Sequence, residues 1–89
     1  MEKETRYNIL YVDDSEINLF LFKENFKDEY NIYVAISAYE GIRIVKNQDL
    51  DLIITDQAMP EITGVEFLQE VLKVNPEPNR ILLTAYKDL

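Results

Sequence analysis

Neither cysteine nor histidine occurs in the chain. Without cysteine there is no disulfide frame, no thiolate metal site and no thiol nucleophile. Without histidine the commonest general base is missing, and with it any Ser-His triad. Basic residues are scarce: 9 Lys and Arg stand against 17 Asp and Glu, for a net charge of -8. That balance argues against nucleic-acid binding, which needs clustered Lys and Arg against phosphate, and it disfavours anionic membrane surfaces. No apolar run approaches the length needed to span a membrane. The N-terminus, Met1-Glu2-Lys3-Glu4-Thr5-Arg6, has no signal-peptide core. A reducing, cytoplasmic setting fits these absences. There is no internal repeat, low-complexity tract or linker.

What is present is an ordinary globular balance, 47% apolar and 29% charged over 89 residues, enough for one domain at most. A chain of this size buries only about 60–65% of its unfolded surface, so modest stability is expected. Its most telling feature is the placement of acidic residues. The run Ile9-Leu10-Tyr11-Val12 leads straight into Asp13-Asp14, Leu52-Ile53-Ile54-Thr55 ends at Asp56, and Ile81-Leu82-Leu83 ends at Thr84-Ala85. Short apolar runs closed by polar residues are the pattern of buried parallel strands. In open α/β sheets, ligands bind in the crevice beyond the carboxyl ends of such strands.

Strands are predicted at 7–12, 31–36, 51–55 and 80–84, and helices at 15–28, 37–47 and 63–74. In the first helix Ile17, Phe20, Leu21 and Phe26 form an apolar stripe, assigned to the core. Ser37 with Glu40, and Thr63 with Glu66, have capping-box spacing. Ile42, Ile44 and Val45, then Phe67, Leu68, Val71 and Leu72, are assigned inward positions on the second and third helices. Gly41 in the second helix costs about 1 kcal/mol relative to alanine. Residues 75–79, rich in Asn and Pro, form a loop. The order βαβαβαβ implies a parallel α/β sheet with right-handed crossovers. Of the two common strand orders, only the flavodoxin-like one brings Asp13, Asp14, Asp56 and Thr84 together.

Taken singly, each of these residues has an ordinary explanation. The acidic pair suits a strand-end turn and helix cap, Asp56 a loop carboxylate, Thr84 a strand hydroxyl, and Met59-Pro60 a turn. Jointly, at successive strand ends, they point to a hard cation and a phosphoryl group. Paired carboxylates repel one another unless a cation is present, and Mg²⁺ takes one or two carboxylates together with phosphate oxygens. Asp56 then either ligates the metal or attacks phosphorus to form an acyl phosphate. The hydroxyl of Thr84 suits a hydrogen bond to a phosphoryl oxygen.

The stretches ILYVDD (9–14), TDQAMPEITG (55–64) and LLTAY (82–86) resemble the receiver domain of two-component response regulators, from Tyr7 to the end of the chain. The resemblance implies a CheY-like signalling module, not an enzyme, that accepts a phosphoryl group on Asp56 from a histidine kinase or phosphotransfer protein. It further implies that Asp13, Asp14, Asp56 and the backbone carbonyl of Ala58 hold Mg²⁺, with one of the acidic pair acting directly and the other through water. Thr84 would bond the phosphoryl group, Ala58 and Tyr86 would tune its lifetime, and Gly64 would keep the third helix close to the site. The family has five strands and five helices, so residues 1–89 read as a partial receiver domain, lacking the last strand and the last two helices. The family's lysine and aromatic switch residue belong to that last strand. Lys87, three residues after Thr84, is read as a solvated side chain and not as a replacement for that lysine.

Two expectations follow. Phosphoryl transfer to Asp56 is impaired in this form, and the edge strand 80–85 and the uncovered first helix favour a homo-oligomer. Two competing functions are a degenerate receiver serving only as an interaction surface, and a phosphatase of the haloacid dehalogenase type. The phosphatase needs one residue between its two aspartates, and here they are adjacent.

Overall fold

Each helix begins where a hydroxyl side chain can cap it. Ser15, Ser37 and Thr63 are the N-caps, and each accepts a hydrogen bond from the amide three residues on, at Asn18, Glu40 and Glu66. At Thr63 the box is reciprocal, because Glu66 accepts from the Thr63 amide at 2.8 Å. At Ser37 it is one-sided, since the Glu40 carboxylate accepts from the Ile36 amide instead.

The computed structural model describes residues 6–84. Its elements are β1 (Asn8–Val12), α1 (Glu16–Phe26), β2 (Asn31–Ala35), α2 (Ala38–Asn47), β3 (Leu52–Asp56), α3 (Gly64–Val74) and β4 (Asn79–Leu83). They match the expected βαβαβαβ order, with boundaries moved by a residue or two. All four strands are parallel, in the order β2-β1-β3-β4. This is the flavodoxin-like arrangement, and β1 lies between β2 and β3. Among the described residues no helix is long and apolar enough to cross a membrane. Tyr86, to which the resemblance gives a role, and Ala85 and Lys87 lie outside the described residues.

Alternation along the strands sends side chains to two faces. On one face Leu10, Val12, Ala35 and Ile53 pack with Val45, Leu50, Phe67 and Val71 into the main core. Gly41 is explained here by proximity: a Cβ on it would lie 2.9 Å from the Phe67 ring. The helix-propensity cost at Gly41 is what lets α2 approach α3. On the other face Tyr11 meets Phe22 of α1 at a ring-centroid distance of 4.5 Å, and Phe26 follows Phe22 at 4.9 Å.

Two core assignments are corrected. On α1 the sheet-facing side chains are Leu19, which is buried, and Phe22, which stacks on Tyr11. Ile17, Phe20 and Leu21 point outward, exposed by 71%, 62% and 51%, and Phe26 is only partly covered. This helix is apolar on more than one side, and a single neighbouring layer buries only one stripe of it. On α3, Phe67 and Val71 are buried as expected, but Leu72 is exposed. The strand β4 is an edge, as anticipated, and Ile81 and Leu83 are each 44% exposed.

Candidate metal and phosphoryl site

Register places the acidic residues side by side. Val12 pairs with Thr55, so the residues that follow, Asp13 and Asp56, emerge together at the carboxyl edge of the sheet. The Asp13 amide extends the β1–β2 ladder by one bond, to the Ala35 carbonyl at 3.1 Å. Asp13, Asp14 and Asp56 each offer an oxygen, and these three atoms lie within 4.8 Å of one another. Asp13 is buried, Asp14 is exposed and Asp56 is intermediate. The donor set is all oxygen and anionic, which fits a hard divalent cation and not a soft one.

Asp13 is the most tightly held of the three. Its Oδ2 accepts from the Tyr11 hydroxyl at 2.6 Å and from Asn18 Nδ2 at 3.0 Å, and its Oδ1 accepts from the Ser15 amide at 2.9 Å. Burial, the bond to Asp13 and the negative charges of Asp13 and Asp56 push the Tyr11 phenol well above its ordinary range. The hydroxyl therefore stays protonated and remains a donor. Asp56 is held more loosely, its Oδ1 accepting from the Ala58 amide at 3.4 Å.

The loop after β3 is braced through Gln57. The Gln57 amide donates to the Leu83 carbonyl at 2.9 Å, its carbonyl accepts from the Gly64 amide at 3.0 Å, and its side-chain oxygen accepts from the Val65 amide at 3.0 Å. One residue thus joins β3, β4 and the first turn of α3. Gly64 allows the approach: a Cβ there would lie 2.4 Å from the Asp56 carbonyl oxygen. Thr55, fully buried, donates its hydroxyl to the same carbonyl at 3.0 Å.

Of the expected site residues, the structure brings Asp13, Asp14 and Asp56 together. Ala58 sits two residues beyond Asp56 in the same loop, with its amide on the Asp56 carboxylate. Thr84 directly follows Leu83, the β4 residue in register with Asp56, so it lies at the same sheet edge, with its side chain exposed. Tyr11, Asn18 and Gln57 were not anticipated. Tyr11 was legible in principle, since residues two apart on a strand share a face. Asn18 required knowing how the first turn of α1 sits over β1.

The pattern of the response regulator receiver domain matches residues 9–89. The hydrogenase transcriptional regulatory protein HoxA of Cupriavidus necator is 35% identical over 80 residues, which is 90% of this chain and 17% of that protein. The chain therefore spans about a sixth of the length of this relative. A response regulator receiver domain protein (CheY-like) from Methanospirillum hungatei superposes with a TM-score of 0.86 at 29% identity, over 96% of this chain and 69% of that one. The response regulator TrrA from Thermotoga maritima, solved in complex with Mg(2+)-BeF, superposes with a TM-score of 0.82 at 36% identity, over 91% of this chain and 71% of that one.

Proposed function

The chain belongs to the response regulator receiver domain family, and from that premise we propose that it is a phosphoacceptor module of a two-component relay. Residues 1–89 act as part of a domain of that type, in the cytoplasm, and Asp56 accepts the phosphoryl group from a histidine kinase or phosphotransfer protein. The observation that carries this is the meeting of Asp13, Asp14 and Asp56 at the carboxyl ends of β1 and β3. That a relative in the same family is known with Mg(2+)-BeF adds support.

In this mechanism Asp13, Asp14, Asp56 and the Ala58 carbonyl hold Mg²⁺, and Thr84 donates to one phosphoryl oxygen. The ion, when bound, supplies charge neutralisation for the phosphoryl oxygens. An Asp56 carboxylate oxygen attacks phosphorus. The phosphorus–nitrogen bond of the phosphohistidine breaks, and its electron pair stays on the imidazole. The product is an acyl phosphate on Asp56, and in similar proteins the positions of Ala58 and Tyr86 tune how long it survives. Gly64 keeps α3 against the Asp56 backbone.

The family's fifth-strand lysine does not occur in these 89 residues, so the isolated polypeptide should accept phosphoryl groups slowly. Incubation with Mg²⁺ and a small acyl phosphate, read by intact mass, should show slow, Mg²⁺-dependent addition of one phosphoryl group, absent in Asp56→Asn. Rapid, near-complete addition would overturn the impairment, and equal addition to Asp56→Asn would overturn the assignment of Asp56. Beryllofluoride with Mg²⁺ should move the amide resonances of Asp13 and Asp56. An unmoved spectrum would favour the interaction-only receiver. The polypeptide should also self-associate through β4 and the outer face of α1, where Ile17, Phe20, Ile81 and Leu83 are exposed. Sedimentation as a clean monomer at tens of micromolar would dismiss that association.

A further inference from the structure

A buried carboxylate must be met by donors, and Asp13, only 2% exposed, has three. Their distribution is uneven. Oδ2 takes both side-chain donors, Tyr11 and Asn18, while among the described residues Oδ1 takes only the Ser15 amide. Each carboxylate oxygen has about two lone-pair positions. Oδ2 is therefore filled and Oδ1 retains one.

We propose that Tyr11 and Asn18 are positioning residues that clamp Oδ2 of Asp13, leaving Oδ1 as the single oxygen this side chain presents to a divalent cation or to a water on it. The proposal rests on reading Asp13, Asp14 and Asp56 as the Mg²⁺ site and adds what selects the ion. The clamp has one jaw on each of two elements. Tyr11 belongs to β1 and is wedged against Phe22. Asn18 lies in the first turn of α1, its amide held by the Ser15 cap. Asp13 is thus the fixed point of the cluster, whereas Asp14 is exposed and Asp56 has, among the described residues, only the long 3.4 Å bond from Ala58.

A carboxylate confined to one available oxygen binds in monodentate fashion. Mg²⁺ accepts that, because it demands octahedral geometry with short bonds and keeps several waters. Ca²⁺ is larger, takes more oxygen ligands and frequently uses carboxylates in bidentate fashion. Filling Oδ2 therefore denies Ca²⁺ a mode of binding that Mg²⁺ does not need. Tyr11 and Asn18 act through Asp13 alone and touch neither the ion nor the phosphoryl group.

The test is calorimetric titration of the full chain with Mg²⁺ and, separately, with Ca²⁺, for the wild type, Tyr11→Phe and Asn18→Ala. The amide resonances of Asp13, Asp14 and Asp56 locate the binding. Partners of a ligating side chain typically affect affinity by 10–100-fold. Each variant should weaken Mg²⁺ binding roughly tenfold and Ca²⁺ binding less, so that the Mg²⁺/Ca²⁺ preference falls. A merely structural contribution would lower both affinities together and leave their ratio alone. An unchanged ratio in a folded variant overturns the proposal, and Asn18→Ala carries the test if Tyr11→Phe does not fold. Failure of the wild type to bind Mg²⁺ at all would remove the site itself, an outcome distinct from normal binding with an unaltered ratio.

Discussion

At Glu61 the backbone enters the left-handed region, with φ at 76°, where a side chain other than glycine's is disfavoured by roughly 1–2 kcal/mol. It does so in the loop between Asp56 and α3, directly after Pro60. Glu61→Gly should relieve that strain, offset in part by the greater freedom of glycine in the unfolded chain. A net gain of about 0.5–1 kcal/mol in urea denaturation is expected, and a loss would show that the Glu61 side chain matters more than its backbone. Tyr11 gives a pH dependence. Its phenol titrates higher in the folded protein than its ordinary 10.0, so above that pH the folded state binds more protons than the unfolded state, and stability falls as pH rises. Below that pH the contribution is fully present. The urea midpoint should drop on moving above about pH 10, and less steeply in Tyr11→Phe. Equal slopes in the two proteins would remove Tyr11 as the cause. The acidic doublet and Asp56 were legible in the chain because each closes an apolar run. The Asn18 bond was not, since it depends on the seating of α1 over β1, whereas the Tyr11 bond follows from two residues on one face of β1.

The seven elements divide between those whose sequence speaks for itself and those whose neighbours decide. Ser15, Ser37 and Thr63 mark their helix starts locally, and β1 and β3 announce themselves by composition. The helix α1 does not reveal its inner face, because Ile17, Leu19, Phe20, Leu21 and Phe22 are all apolar and only packing chooses among them. Exposed positions away from special features contribute within about 0.5 kcal/mol, so Ile17→Lys or Phe20→Lys should leave monomer stability within that range, whereas Leu19→Ala should cost about 2–5 kcal/mol. Equal losses at positions 17 and 19 in chemical denaturation would contradict the observed face of α1. Gly64 belongs to this scale as well, because it sets the distance between α3 and β3. The added methyl of Gly64→Ala meets backbone, which cannot step aside. Overpacking of this kind costs about 1–3 kcal/mol, and here it should also shift the Asp56 amide resonance. An unperturbed Asp56 signal would mean that the helix simply slides away.

For the molecule as a whole, one sheet carries cores of unequal weight. The face under α2 and α3 is closed around Leu10, Val12, Ile53 and Phe67, while the other face is covered by α1 only over β1 and β2. The strand order was readable from the alternation of elements and from the need to gather three carboxylates. How much of the second face stays open was not, because that depends on which surfaces find a partner. The placement of β1 between β2 and β3 governs how the molecule opens. Its backbone amides are locked in ladders on both sides, so deuterium should enter at Leu10 and Val12 only when the entire fold comes apart, and much sooner along β4, which has a neighbour on one side. Comparable uptake at the two strands would mean that the centre frays as readily as the rim. Otherwise the acidic cradle should outlast every partial opening and be the last feature the chain surrenders.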